Sequence, residues 1–139
     1  MSQISRRTAR VFAMQLLYSM EITGGTPGQC LAGVIDSLQP SSDMQDYGMK
    51  LVDLVLAHHE ELDRLLRELS SDWDPERMAV LDRKILQVAL VELLHCGDVP
   101  AKVAILEAVQ IAHKYSTADS SGFVNGILDR FAKTRNILK

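Results

Sequence analysis

The 139-residue sequence has two cysteines, four prolines and one tryptophan, and it lacks the short motifs that announce common chemistries. No apolar run approaches the roughly 20 residues that a membrane span needs, so no association with a bilayer is expected. The first seven residues carry Arg6 and Arg7 but no apolar stretch or small-residue cleavage site follows them. That pattern argues against a signal peptide and for a cytoplasmic address. Cys30 and Cys96 stand apart, among apolar neighbours and outside any CxxC spacing, and read as reduced structural thiols. Gly24-Gly25 runs into Thr26-Pro27-Gly28, a turn rather than a phosphate cradle, and GxGxxG, Walker and GxSxG patterns are missing. His58, His59, His95 and His113 show no HExxH spacing. Adjacent histidines on a helix point about 100° apart and cannot chelate as neighbours, so core or surface roles are expected, with no metal and no cofactor.

What is present is ordinary in amount and uneven in placement. Apolar residues make up 47% of the chain and charged residues 24%, as in a soluble globular protein long enough to bury a core. The net charge of −3 argues against a general nucleic-acid binder. Residues 1–18, however, carry Arg6, Arg7 and Arg10 with no acid, and residues 129–139 carry Arg130, Lys133, Arg135 and Lys139 against Asp129 alone. Each end is therefore +3, which leaves −9 on the 110 residues between them. Two basic ends on an acidic body suggest a localised contact with a polyanion.

The apolar period is 3.6 nearly throughout, and no segment alternates like a half-buried strand. Ser5 is the expected cap of a first helix reaching about Met20, with Ala9, Phe12, Ala13, Leu16, Leu17 and Met20 on its core face. Leu31, Val34, Ile35 and Leu38 mark a short second helix closed by Pro40. Asp43 is the expected cap of a long third element striped from Leu51 to Leu69, with a bend near His58-His59. Asp74 and Pro75 predict the start of a very apolar helix over about Glu76–His95, whose nearly all-round apolar surface puts it mid-fold. Gly97 stops it, Asp98 and Pro100 start a helix to about Tyr115, and Asp119 caps the last. Six or seven helices in one compact all-α bundle, residues 1–139 as a single domain without repeats or linkers, is the predicted architecture.

The first helix carries the sharpest functional signal. With Arg6 at 0°, Arg10 falls near 40° and Arg7 near 100°, with Met14 near 80°, Tyr18 near 120° and Val11 near 140°, away from a core stripe centred near about 300°. Guanidinium groups mixed with an aromatic ring and apolar side chains suit single-stranded RNA. A merely solvated basic face is the alternative. Cations in a first turn oppose the helix dipole by a few tenths of a kcal/mol each, so local helix stability does not call for them. Glu92, on the apolar side of the central helix, reads as a buried acid bonded to a neighbouring helix N-terminus rather than as a catalytic carboxylate, since no nucleophile or metal ligand is paired with it. Gly126 suggests a close helix–helix approach, and Trp73 a ring buried against the bundle.

Ser5-Arg6-Arg7-Thr8-Ala9-Arg10 with Gln15-Leu16-Leu17-Tyr18, and Asp82-Arg83-Lys84-Ile85-Leu86 through Val91-Glu92-Leu93-Leu94, resemble the arginine-rich first helix and the central helix of the NusB family. The most specific stretch runs from Asp98-Val99-Pro100-Ala101-Lys102 through Ala112-His113-Lys114-Tyr115 and Asp119-Ser120 to Phe123-Val124-Asn125-Gly126. The resemblance covers nearly the whole chain and implies two roughly perpendicular three-helix subdomains. It also implies a function: binding boxA-type RNA with the small-subunit ribosomal protein that doubles as Nus factor E, and joining the elongating RNA polymerase antitermination complex, notably on ribosomal RNA genes. By position, Arg6, Arg7 and Arg10 are implied to hold RNA, Asp119 and Phe123 to lie beside it, and Tyr18 and Asp82 to face the ribosomal protein. A homodimer that hides the arginine face is a further state the family allows. The sequence departs from the family pattern at Ala101 (usually Tyr), Leu106 (usually Asn), Ser121-Gly122 (where a Lys commonly precedes the Phe) and Asp82 (usually Glu), which implies weaker or more partner-dependent RNA binding.

The expected mechanism is binding without catalysis. Two other readings stay open from the residues: an RNA-binding domain of a ribosomal RNA cytosine methyltransferase, which needs a further domain for S-adenosylmethionine, and a helical protein–protein module with no RNA role.

Overall fold

In the computed structural model, residues 3–70 and 78–137 are described, the first three as backbone only. Among them are seven α-helices and no strand: α1 (Gln3–Thr23), α2 (Pro27–Leu38), α3 (Ser42–Ala57), α4 (His59–Leu69), α5 (Val80–His95), α6 (Ala101–Tyr115) and α7 (Ser120–Arg135). The all-α prediction holds. Trp73, the Asp74-Pro75 start signal and Glu76 lie outside the described residues.

Several boundaries differ from expectation for local reasons. Helix α1 begins at Gln3, so Ser5 lies inside it, and it continues past Met20 to Thr23. Helix α2 is set by a capping box, the Thr26 side chain accepting from the Gln29 backbone N–H while Gln29 returns a bond to the Thr26 backbone, with Pro27 in the first turn. Ser41, not Asp43, caps α3 by accepting from the Met44 backbone N–H; Asp43 sits within the first turn, where its charge suits the dipole. The long third element is two helices, because His58 leaves helical geometry at φ −114°, ψ 21°. Asp119 occupies the N-cap position of α7 without a side-chain cap bond.

The helices form two groups of three. Helix α1 packs on α2 and α3, α6 packs on α5 and α7, and α5 also meets α7; the groups are joined where α5 meets α1 and α3. Helix α4 connects them, burying Leu62, Leu65, Leu66 and Leu69, and the Arg130 guanidinium of α7 donates to the Leu69 carbonyl at its C-terminal end. Helix α5 is buried from Asp82 and Lys84 through Glu92, as its all-round apolar sequence requires. Helix α1 is the second central helix: Ala9 through Met14 and Leu16-Leu17 are all buried. Gly48 of α3 lets α1 approach, since a Cβ there would lie 2.5 Å from Phe12 Cδ1 and 3.0 Å from the Ala9 carbonyl oxygen. Gly126, expected to serve that purpose in α7, is exposed with nothing within 4 Å of such a Cβ. Cys30 and Cys96 are buried free thiols. No helix among the described residues is long and apolar enough to cross a membrane.

Candidate nucleic-acid interface

The three arginines of α1 do not share one solvent face. Each meets a different acid from the second helix group. Arg6 donates to Asp98 Oδ2 at 2.9 Å, in the α5–α6 connection, and its guanidinium lies 5.1 Å from the centroid of the Tyr47 ring. The bond from Arg6 holds the Asp98 carboxyl below the usual carboxylate range and raises the arginine's own pKa. Arg7 Nε donates to Glu107 Oε2 of α6 at 2.7 Å. Arg10 Nε donates to Glu92 Oε1 of α5 at 2.7 Å, and its second nitrogen lies 3.6 Å from Glu107 Oε1.

Exposure separates them. The Arg7 side chain is 49% exposed, that of Arg6 19% and that of Arg10 only 2%. The wheel angle near 40° is right for Arg10, but α5 and α6 cover it. Val11 and Met14, expected on the same open face, are buried as well. Arg10 thus does not share the exposed face expected of it; it is buried as an internal tie between the two helix groups. Glu92 is buried as expected, but its partners are Arg10 and the Tyr47 hydroxyl, which donates to Oε2 at 2.6 Å, rather than a helix N-terminus. Burial and the nearby carboxylate push the Tyr47 phenol far above its usual range.

Arg7 borders an open cleft of about 480 Å³ between α1, α2 and α6, lined also by Thr8, Val11, His113, Lys114 and Tyr115. The Lys114 ammonium lies 5.3 Å from the Tyr115 ring centroid. Exposed His113 and Lys114 thus add cations or hydrogen-bond donors next to Arg7, along with a half-buried ring. Sequence reading did not group them, because α6 lies about a hundred residues from α1 and only packing brings the two together.

A second cleft, about 290 Å³, is lined by Met78, Ala79, Asp82, Thr117, Asp119, Ser120 and Phe123. Here Asp119 is exposed and Phe123 half-buried against the core. Asp82 is 7% exposed, and its two oxygens accept from Ser116 Oγ at 2.5 Å and Ser120 Oγ at 2.9 Å. It fixes the α6–α7 turn against α5. Asp82 thereby groups with Asp119 and Phe123, not with Tyr18, the other residue implied for a protein partner. Tyr18 is 39% exposed further along α1, about 16 Å from Arg7 by helical rise. One turn beyond it Glu21 pairs with Arg83 and Lys84 of α5.

Fold and site together define the class: a compact all-helical protein of two interlocked three-helix groups, with a cationic edge on its first helix. Comparison with known proteins agrees. The model of the NusB family matches residues 7–133. A transcription antitermination protein NusB from Symbiobacterium thermophilum is 42% identical over 135 residues, 90% of this chain and 87% of that one. The solved structure of T. maritima NusB superposes with a TM-score of 0.83 at 32% identity, covering 92% of this chain and 90% of that one. A chain in the crystal structure of antitermination factors NusB and NusE in complex with dsRNA gives 0.85 at 25% identity, covering 96% and 99%. This chain belongs to the NusB family.

Proposed function

We propose that this protein is a transcription antitermination factor that binds boxA-type RNA jointly with the small-subunit ribosomal protein known as Nus factor E. The complex joins elongating RNA polymerase and supports ribosomal RNA transcription. It works in the cytoplasm as one domain and by binding alone. The observation that carries this reading is the family membership, together with the close likeness to a protein solved with NusE and dsRNA.

On this reading the RNA lies along the exposed edge of α1. Arg7 makes the principal phosphate contact, with Arg6 beside it and Lys114 across the cleft; Asp119 and Phe123 contribute a hydrogen-bond acceptor and a ring from the second cleft. Tyr18 offers its exposed ring to the ribosomal protein, and Asp82 holds the cleft's shape. Arg10 positions α1 from inside. Two or three phosphate contacts give a salt slope of only about −1.4 to −2 for single strands, so a partner that adds surface and orders the RNA is needed for tight binding.

Fluorescence anisotropy of a labelled boxA-type RNA, titrated with this protein alone and with the ribosomal partner, tests the proposal. A scrambled RNA and a duplex serve as competitors. Partner-enhanced binding that is selective for boxA and weakened in Arg7→Ala supports it. If folded protein binds boxA no better than scrambled RNA, the reading fails and a helical interaction module remains, with homodimerisation then the state to measure.

A further inference from the structure

The sequence separates His58 from His95 by 37 positions, and the fold brings them face to face. His58 occupies the junction of α3 and α4, serving as a backbone cap to both helices, and makes no side-chain cap bond to α4. His95 is the last residue of α5. Their rings stack with centroids 4.0 Å apart and planes 18° apart. Glu61, one turn into α4, places Oε1 3.4 Å from His95 Nε2, longer than a well-formed hydrogen bond. One donor atom from each of the three residues lies within 4.8 Å of the others. The neighbouring His59 takes no part: its Nδ1 lies 3.3 Å from the Leu56 carbonyl.

From this geometry we propose that His58, Glu61 and His95 form a surface site for a divalent transition ion of the zinc type. Two imidazoles and one carboxylate are the donors such borderline ions select, whereas calcium and magnesium prefer all-oxygen sets. An ion bound at about 2.0–2.2 Å in tetrahedral geometry holds its donors roughly 3.3 Å apart. To bind one ion the two rings must swing out of their stack, so that their in-plane lone pairs converge and the donor separations, now at most 4.8 Å, close by side-chain rotation. The freedom exists, because Glu61 and His95 are exposed and His58 half-exposed. Water completes the fourth position. The C-terminal end of α5 adds its partial negative charge at His95, which favours a cation there. Two donors sit three residues apart on one element and the third comes from a distant helix. The ion would thus tie the α3–α4 junction to the end of the central helix, far in sequence from the arginines of α1.

The test uses tag-free protein, stripped with chelator and titrated with zinc by calorimetry, with thermal melts in parallel. One ion per chain is expected, with a melting temperature that rises on adding zinc. His95→Ala and His58→Ala should each weaken binding at least about tenfold and abolish the thermal shift, Glu61→Gln should weaken it less, and exposed His113→Ala should leave zinc affinity unaltered. Melts of the metal-free variants separate lost binding from lost folding, and His95→Gln provides a second variant that keeps a polar side chain. Cobalt in place of zinc should give a tetrahedral spectrum without a thiolate charge-transfer band. Absence of saturable binding, binding unchanged in His95→Ala or His95→Gln, or a thiolate band that implicates Cys96 overturns the proposal.

Discussion

Arg10 and Glu92 meet at 2.7 Å with side-chain exposures of 2% and 1%, where the first helix meets the central one. The carboxylate is held from the other side by Tyr47, and Glu107 stands near the outer nitrogen of the guanidinium. Such a pair gains little over a well-packed apolar substitute, but breaking it strands a buried charge. Arg10→Met is therefore expected to cost about 3–5 kcal/mol of stability, whereas the double variant Arg10→Met/Glu92→Leu should recover much of the loss. Urea denaturation of the two single variants and the double variant measures the coupling.

Tyr47 gives that network a pH dependence. Its phenol is pushed well above the ordinary value of 10.0 by burial and by the Glu92 carboxylate. A group whose folded pKa is raised contributes stability that is fully present below its unfolded pKa and is lost as pH rises towards the folded one. Stability is thus expected to fall above about pH 10, and ultraviolet titration should show Tyr47 ionising only together with alkaline unfolding. Tyr47→Phe should flatten that alkaline limb and cost about 1–3 kcal/mol at neutral pH, since it leaves Glu92 Oε2 without its donor.

These contacts mark the boundary of what the sequence made legible. The breaking signals at residues 24–28 and Pro100 are local chemistry, and α2 and α6 begin there, whereas the caps expected at Ser5 and Asp43 lie inside their helices. The all-round apolar pattern of α5 correctly announced a central helix. The break at His58 was legible only as a bend, because the Leu54–Val55 and Leu62–Leu65 stripes continue across it with the same period. Helix α1 was misread in a specific way: a wheel gives the direction of a side chain but not what waits there. Arg10 and Met14 point where α5 and α6 arrive from 80–100 residues away. The clue lay in the acids. Glu92 and Glu107 both occur within apolar helices, and buried carboxylates call for cations. Three arginines free of local acids were the available partners.

Arg7 and Arg10 lie one turn apart yet should give different phenotypes. Arg7 is half-exposed but its partner Glu107 is buried, so Arg7→Ala should cost about 1–3 kcal/mol of stability by leaving that carboxylate short of a donor, less than loss of the fully buried Arg10. In RNA binding it should lower the affinity and reduce the salt slope by about 0.7. Arg10→Ala should lose affinity in proportion to lost folding, without a separate change in slope. Anisotropy titrations at several salt concentrations, with circular dichroism on the same samples, distinguish the two.

Gly48 sets how closely α3 can approach α1. An added Cβ would stand 2.5 Å from Phe12 Cδ1 and 3.0 Å from the Ala9 carbonyl oxygen, and Phe12 is fully buried. Alanine improves helix propensity by up to about 1 kcal/mol, but overpacking of this kind costs about 1–3 kcal/mol. Gly48→Ala is expected to destabilise, and trimming the obstructing ring should relieve part of the clash. Gly48→Ala/Phe12→Leu should therefore lose less than the sum of its single variants in thermal or urea melts; strict additivity would mean the backbone, not the ring, sets the limit.

If Arg6 contacts RNA as proposed, Asp98 competes with that RNA for it. Its carboxylate accepts from the guanidinium at 2.9 Å yet is itself 62% exposed, so it holds the arginine while adding negative charge at the cationic edge. Asp98→Asn removes that charge and leaves an amide able to accept a weaker bond. RNA affinity is expected to rise severalfold at low salt, with the gain shrinking as salt screens the edge. The same variant should alter the acid limb of folding. A carboxyl held below its unfolded value contributes stability above about pH 3.8, lost as pH falls through the folded value, and asparagine removes that contribution. An unchanged RNA affinity in Asp98→Asn would place Arg6 outside the RNA contact and leave Arg7 and the cleft beside it as the binding edge.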